Sequence, residues 1–210
     1  MKKLAAILIA ASLLPLGFAR GAAAQDVSND TPRYLLSSDE ARRIIAGRAR
    51  QVMIAIKNRD MRALSTFVHP RKGVRFSPYV YAIPKTDRVL RRNQLVSLYR
   101  SRRRLFWGEQ DGSGDPIRLT FRQYLGRFVY QQDLLTDKEV GYNPEHRVGP
   151  GTDINNLLET YPQAILVRYS HEGTTGPEGG AMDWRQLWLV FEKLGDVWYL
   201  VGVANNEWTT

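Results

Sequence analysis

The chain has no cysteine and only three histidines, His69, His146 and His171. The first absence excludes disulfides, lipid attachment at an N-terminal cysteine, thiolate catalysis and zinc–thiolate sites. The second leaves little for a metal. No two histidines stand at the helical spacing of a metal-binding pair, and a three-histidine site would have to gather all of them from distant segments. Low-complexity tracts and internal repeats are absent as well. The apolar run from Leu4 to Phe18 is too short for a comfortable membrane span and is interrupted by Pro15 and Gly17.

That run follows Met1-Lys2-Lys3 and precedes Ala22-Ala23-Ala24. A basic start, a short apolar stretch and small residues before a cut are the parts of a secretory signal. An uncleaved anchor fits less well, because polar residues follow at once. The expectation is therefore a signal peptide over 1–24, cut after Ala24 by the general secretory route, since no twin arginine precedes the apolar run. Residues 25–37 are expected to be a flexible lead-in and 38–210 a single domain. The mature protein is expected in the periplasm or the medium of a bacterium, not as an integral membrane protein. Removing Lys2, Lys3 and Arg20 lowers the formal charge from +9 to +6. A basic surface attracts anions. Outside the cytoplasm these are lipid headgroups, peptidoglycan carboxylates and acidic proteins, so an anionic envelope component is a candidate partner and nucleic acid is not. A homodimer stays open. With no disulfide available, ten Tyr, seven Phe and five Trp must supply much of the core.

Along the chain, Ser37 and Glu40 have capping-box spacing. Ala41, Ile44, Ile45, Ala49, Val52, Met53 and Ile56 then recur with helical period, predicting an amphipathic helix of about five turns. Asn58 can end it, and Asp60 can cap a short second helix carrying Met61, Leu64 and Phe67. A strand is expected over Val74–Ser77, a short helix over Asn93–Tyr99 and a strand over Leu105–Trp107. A turn follows at Asp111–Pro116. Thr120 and Gln123 form a second capping box before Tyr124, Leu125 and Phe128. Gly141–Asn155 reads as an irregular loop, Ala164–Ser170 as a strand, and Gly173–Gly180 as a flexible loop. Asp183–Glu192 reads as a long strand with Trp184, Trp188 and Val190 on one face and Leu187, Leu189 and Phe191 on the other. Lys193–Asp196 turns the chain into a partner strand, Val197–Ala204. Helices first and a long antiparallel meander last argue an α+β fold.

The long helix, the run Lys57-Asn58-Arg59-Asp60 into a short helix, and the closing Asp196-Val197-Trp198-Tyr199-Leu200-Val201-Gly202-Val203 resemble the nuclear-transport-factor-2-like, or SnoaL-like, superfamily. Uncharacterised secreted bacterial members are similar over His69-Pro70-Arg71-Lys72-Gly73-Val74-Arg75-Phe76-Ser77-Pro78-Tyr79, over Asp111-Gly112-Ser113-Gly114-Asp115-Pro116-Ile117 and over Met182-Asp183-Trp184. The resemblance implies a cone-shaped fold, a long N-terminal helix packed on a curved, mostly antiparallel sheet around an apolar pocket. It implies no particular reaction, since the superfamily holds isomerases, dehydratases and hydrolases beside members that only bind.

Candidate site residues follow. His69 could act as a general base, or fix its turn through a backbone hydrogen bond. Asp183 is a second candidate base. Asp111, Ser113 and Asp115 match the first oxygen ligands of a calcium loop, but Pro116 stands where Gly is needed and Arg122 where the closing Glu is needed, so a plain turn is the alternative. The arginines at 91, 92, 100, 102, 103 and 104 form a basic knot, either an anion-docking patch or a solvated helix end. Arg75, Tyr79, Trp107, Asp183 and Trp184 are the expected ligand-binding set, with Arg75 and Asp183 on one polar edge of the pocket. No cofactor is expected. The favoured reading is a non-catalytic binding module for a small apolar or amphipathic ligand or an envelope partner. The alternative is a hydrolase, isomerase or lyase using His69 or Asp183.

Overall fold

The computed structural model describes residues 35–136, 139–144, 155–173 and 183–207. The expected signal, nearly all of the lead-in and most of the two loops after 144 and 173 lie outside them. The described elements are α1 (Ser38–Lys57), α2 (Met61–Phe67), β1 (Val74–Ser77), β2 (Arg88–Leu90), α3 (Gln94–Arg100), β3 (Leu105–Glu109), β4 (Pro116–Leu119), α4 (Phe121–Tyr124) with a π-helical turn over Leu125–Val129, β5 (Glu139–Tyr142), α5 (Leu157–Thr160), β6 (Ile165–His171), β7 (Arg185–Leu194) and β8 (Val197–Glu207). The fold is α+β.

Both capping boxes form. The Glu40 N–H donates to Ser37 Oγ at 3.4 Å, and the Ser37 N–H to a Glu40 carboxylate oxygen at 2.9 Å. Thr120 and Gln123 repeat the exchange at 2.9 and 3.2 Å. Asp60 Oδ1 accepts from the N–H groups of Arg62 and Ala63 and starts α2. These bonds satisfy the donors that every helix start leaves open.

Six strands form one sheet in the order β2-β1-β8-β7-β6-β5, and β3 and β4 form a separate ribbon. All neighbours in the large sheet are antiparallel except β1 and β8, which pair in parallel with Arg75 opposite Gly202. Helix α1 packs against β5 and β6. Ile45, Val52 and Ile56 are fully buried in the main core with Leu187, Leu189 and Phe191, while Arg43 is exposed. The other sheet face is covered too. Trp188 and Val190 pack there with Val80, Leu157, Leu158 and Tyr161. Two covered faces explain why β7 reads as a continuous apolar run.

The sequence expectation omitted β2, β4 and α5, and placed the second half of β5, from Gly141, in a loop. The long strand begins at Arg185 rather than at Asp183, which sits in the preceding turn, and its partner runs on to Glu207.

Candidate functional site

Of the aromatic residues expected to line a pocket, Trp107 lies in the core. Trp107 has no exposed surface. Its ring stacks on Tyr124 at 4.0 Å and on Phe121 at 5.7 Å, and its Nε1–H donates to the Leu119 carbonyl at 2.9 Å. Phe76 meets all three rings edge-on. The indole is satisfied and closed in, so Trp107 is a core residue and not a ligand contact.

Beside this stack an apolar cleft of about 160 Å³ opens between the 78–87 loop and β3, lined by Pro78, Tyr79, Tyr81, Ile83, Asp87 and Phe106 among others. Tyr81 and Ile83 are about half exposed at its rim. Gly108, also in the wall, has φ of 121° at the irregular register of β3 with β4, and a Cβ there would come within 3.3 Å of Pro78. A side chain at this position would be strained and would crowd the wall.

Asp87 belongs to this cleft and is 8% exposed. One carboxylate oxygen accepts from Ser77 Oγ at 2.6 Å and from the Ile83 N–H at 2.8 Å. No Lys, Arg or His nitrogen lies within ion-pair distance of it among the described residues. Burial pushes its pKa above the ordinary carboxylate value; the two hydrogen bonds and the more distant Arg75 charge oppose this without cancelling it. Tyr124 stands close by and is wholly buried, with a hydroxyl that has no hydrogen-bond partner among the described residues. Burial first, then the charges of Asp87 and Tyr79, push the Tyr124 pKa well up, so it stays a neutral phenol. The Tyr79 hydroxyl is anchored, accepting from the Asp111 N–H at 2.9 Å and donating to Gln110 at 3.3 Å.

Arg75 lies beneath this region. Its side chain points away from Val74 and Phe76, donating from Nε to Tyr161 Oη at 2.9 Å and from a terminal nitrogen to the Pro84 carbonyl at 3.2 Å. It braces the loop that carries Asp87. Asp183 is elsewhere. Arg185, two residues after it, pairs with Glu207, five residues along β8 from the partner of Arg75, which is roughly 16 Å of strand. Arg75 and Asp183 therefore do not share an edge. Asp183 is half exposed, with His171 Nε2 at 4.0 Å. Trp184, next to it, is 7% exposed and packs in neither core. Of the expected ligand set, only Tyr79 lines the cleft; Arg75 supports it from below, and Asp183 and Trp184 are remote.

His69 is 3% exposed, and its Nδ1 accepts from the N–H groups of Arg71 at 3.2 Å and Lys72 at 2.9 Å. This is the turn-fixing geometry. Burial, then Lys72, lowers its pKa, with Glu192 opposing and Arg71 and Arg92 adding to the drop. Asp111 and Asp115 are engaged inside their turn. Asp111 Oδ1 accepts from the Gly112 N–H and Asp115 accepts from Ser113 Oγ. Among the described residues no group of three or more His, Asp or Glu could hold a metal ion.

At the Asp183 end, Glu207 is held by two guanidinium groups, Arg127 at 2.6 Å and Arg185. The cavity beside it measures about 10 Å³, room for roughly one water. The buried amide nitrogens of Gln132 and Asn205, both in its wall, have no hydrogen-bond partner among the described residues.

Sequence reasoning missed Asp87 and Tyr124. Asp87 stands in Lys85-Thr86-Asp87-Arg88, which reads as a solvated turn, and Tyr124 reads as one apolar position on a helix face. No protein-family model matches the chain, and no curated protein matches it.

Proposed function

We propose that this chain is an exported, non-catalytic binding module whose Asp87 cleft takes a small amphipathic ligand. The observation that carries the reading is a buried carboxyl with no cationic partner within ion-pair distance among the described residues, in a mostly apolar cleft whose other polar lining residues include Thr86 and Glu109. A buried charge is costly unless it is paired. A ligand that brings a hydroxyl or ammonium donor to Asp87 would supply the pairing. Its apolar body would lie against Phe106, Pro78 and the Tyr79 ring. A cavity of about 150 Å³ accommodates roughly one six-membered ring. The size therefore favours a single ring or short alkyl chain over a polycyclic body.

The second reading is an enzyme with His69 or Asp183 as general base. What supports it is His171 beside Asp183 at the sheet end. Against it, neither candidate lines the cleft, and His69 Nδ1 is already occupied.

The test is native mass spectrometry of protein purified from its own periplasm, followed by binding of small aromatic amines and alcohols to wild type and Asp87→Asn. A retained small ligand, and binding about tenfold or more weaker in the variant, is expected. Equal binding by both proteins would remove Asp87 from the site.

A further inference from the structure

A second cleft, of about 260 Å³, lies away from Asp87 among α2, α3 and α4. Four arginines from four different parts of the chain border it: Arg59 from the α1–α2 turn, Arg62 from α2, Arg100 from the last turn of α3 and Arg122 from α4. Its one acidic residue is Asp60, whose Oδ1 is already used to cap α2. Among the described residues none of the four guanidinium groups has a carboxylate within ion-pair distance.

Two of the four are held in place. Arg59 has φ of 55°, a backbone conformation that a non-glycine residue seldom adopts. It is fixed there by donation to the carbonyls of Leu125 at 3.2 Å and Tyr130 at 2.9 Å. Arg122 lies over the Tyr99 ring, 4.3 Å from its centroid, and reaches the Tyr99 carbonyl at 3.5 Å. The other two, Arg62 and Arg100, are exposed. Arg122 is exposed as well, so the cleft joins one part-buried, hydrogen-bonded guanidinium, that of Arg59, to three exposed ones, against the single carboxylate of Asp60. One carboxylate would be served by a single arginine fork. Four guanidinium groups against one carboxylate around one cleft leave an excess of positive charge that matches an oxyanion carrying two charges and three or more acceptor oxygens.

We propose that this cleft binds a phosphoryl group, carried either by a small phosphate monoester or by a lipid headgroup. Arg59 and Arg122 would set its position, and Arg62 and Arg100 would close over it. The inference is independent of the Asp87 reading, because the clefts share no lining residue.

The experiment uses the mature chain with inorganic phosphate as probe, followed by thermal unfolding and calorimetry at constant ionic strength with chloride or acetate as comparison. Phosphate should raise the unfolding temperature and saturate, while chloride and acetate should not. Arg62→Gln with Arg100→Gln should weaken phosphate binding about tenfold or more. Arg102→Gln with Arg104→Gln removes the same charge outside the cleft and should leave binding within twofold. Neither pair makes a side-chain bond that the fold needs, so both variants should fold; circular dichroism checks this. Vesicles of phosphatidylcholine with and without phosphatidic acid separate the sources. Binding only to the phosphatidic acid vesicles, competed by phosphate, assigns a lipid headgroup. Saturable phosphate binding without vesicle binding assigns a soluble phosphate. Equal stabilisation by chloride, or equal loss in both double variants, would overturn the proposal.

Discussion

Two regions of the molecule bury a carboxylate in opposite ways. Glu207, its side chain 3% exposed, is clasped by Arg127 and Arg185 beside a water-sized cavity. Asp87, similarly buried, has only a hydroxyl and a backbone N–H, and it borders a cleft with room for a ring. A carboxylate whose charge is matched inside the protein contributes to the fold and offers nothing further to a ligand. One whose charge is unmatched holds its proton more tightly and presents an incomplete site. The difference lies in partner chemistry rather than depth, and it separates a structural acid from a candidate binding acid.

The comparison can be broken most decisively in the wall between cleft and core. Trp107→Ala should cost about 3–5 kcal/mol of stability, because the indole fills the core. A loss of ligand binding with little loss of stability would make Trp107 a pocket residue after all. Glu207→Gln should cost about 1–3 kcal/mol, since the buried carboxylate gives up two charge-assisted bonds while both arginines, with side chains 25% and 47% exposed, keep access to water. Asp87→Asn should be neutral or mildly stabilising at neutral pH. The amide oxygen still accepts from Ser77 and Ile83, and the buried charge is gone. Equal losses in urea unfolding for Glu207→Gln and Asp87→Asn would erase the distinction between the two carboxylates.

The pH dependence sharpens it. The folded pKa of Asp87 is raised, so its contribution to stability is fully present below the unfolded value near 3.8 and is lost as pH rises through the folded value. His69 has the opposite sign. Its folded pKa is lowered, so its contribution is present above 6.5 and is lost as pH falls through the folded value, when protonation also ends acceptance at Nδ1. Asp87→Asn should flatten the first slope, and His69→Phe the second, in urea midpoints measured across pH. The smallest effect belongs to Asp183→Asn, expected within about 0.5 kcal/mol because the carboxylate is half exposed.

What the sequence made legible was local. The α1 period, both capping boxes, Asp60 as a cap and the turn at Gly195 depend on residues a few positions apart, and each is found. The faces of β7 were readable for the same reason. The short strands β2 and β5 were not, because they are only three and four residues long and their hydrogen bonds come from β1 and β6, outside their own segments. The site was hardest. Tyr79 was found because it is a polar-tipped ring just after a strand that Pro78 stops. Asp87 carries no local sign of burial, since the groups that enclose it come from Phe106 on another ribbon and from Pro78 across the loop. Asp183 looked functional because it follows a glycine-rich stretch and precedes tryptophan; its exposure and its neighbour His171 were not in the pattern.

The central claim is that Asp87 is a buried carboxyl lacking a charged partner and open to a ligand. Carbon-13 NMR titration of the side-chain carboxyl, assigned by comparison with Asp87→Asn, reads this directly. The account predicts a midpoint above the ordinary carboxylate value of 3.8, falling when a small aromatic amine occupies the cleft. A midpoint at or below 3.8 in the free protein, unmoved by such amines, would contradict it.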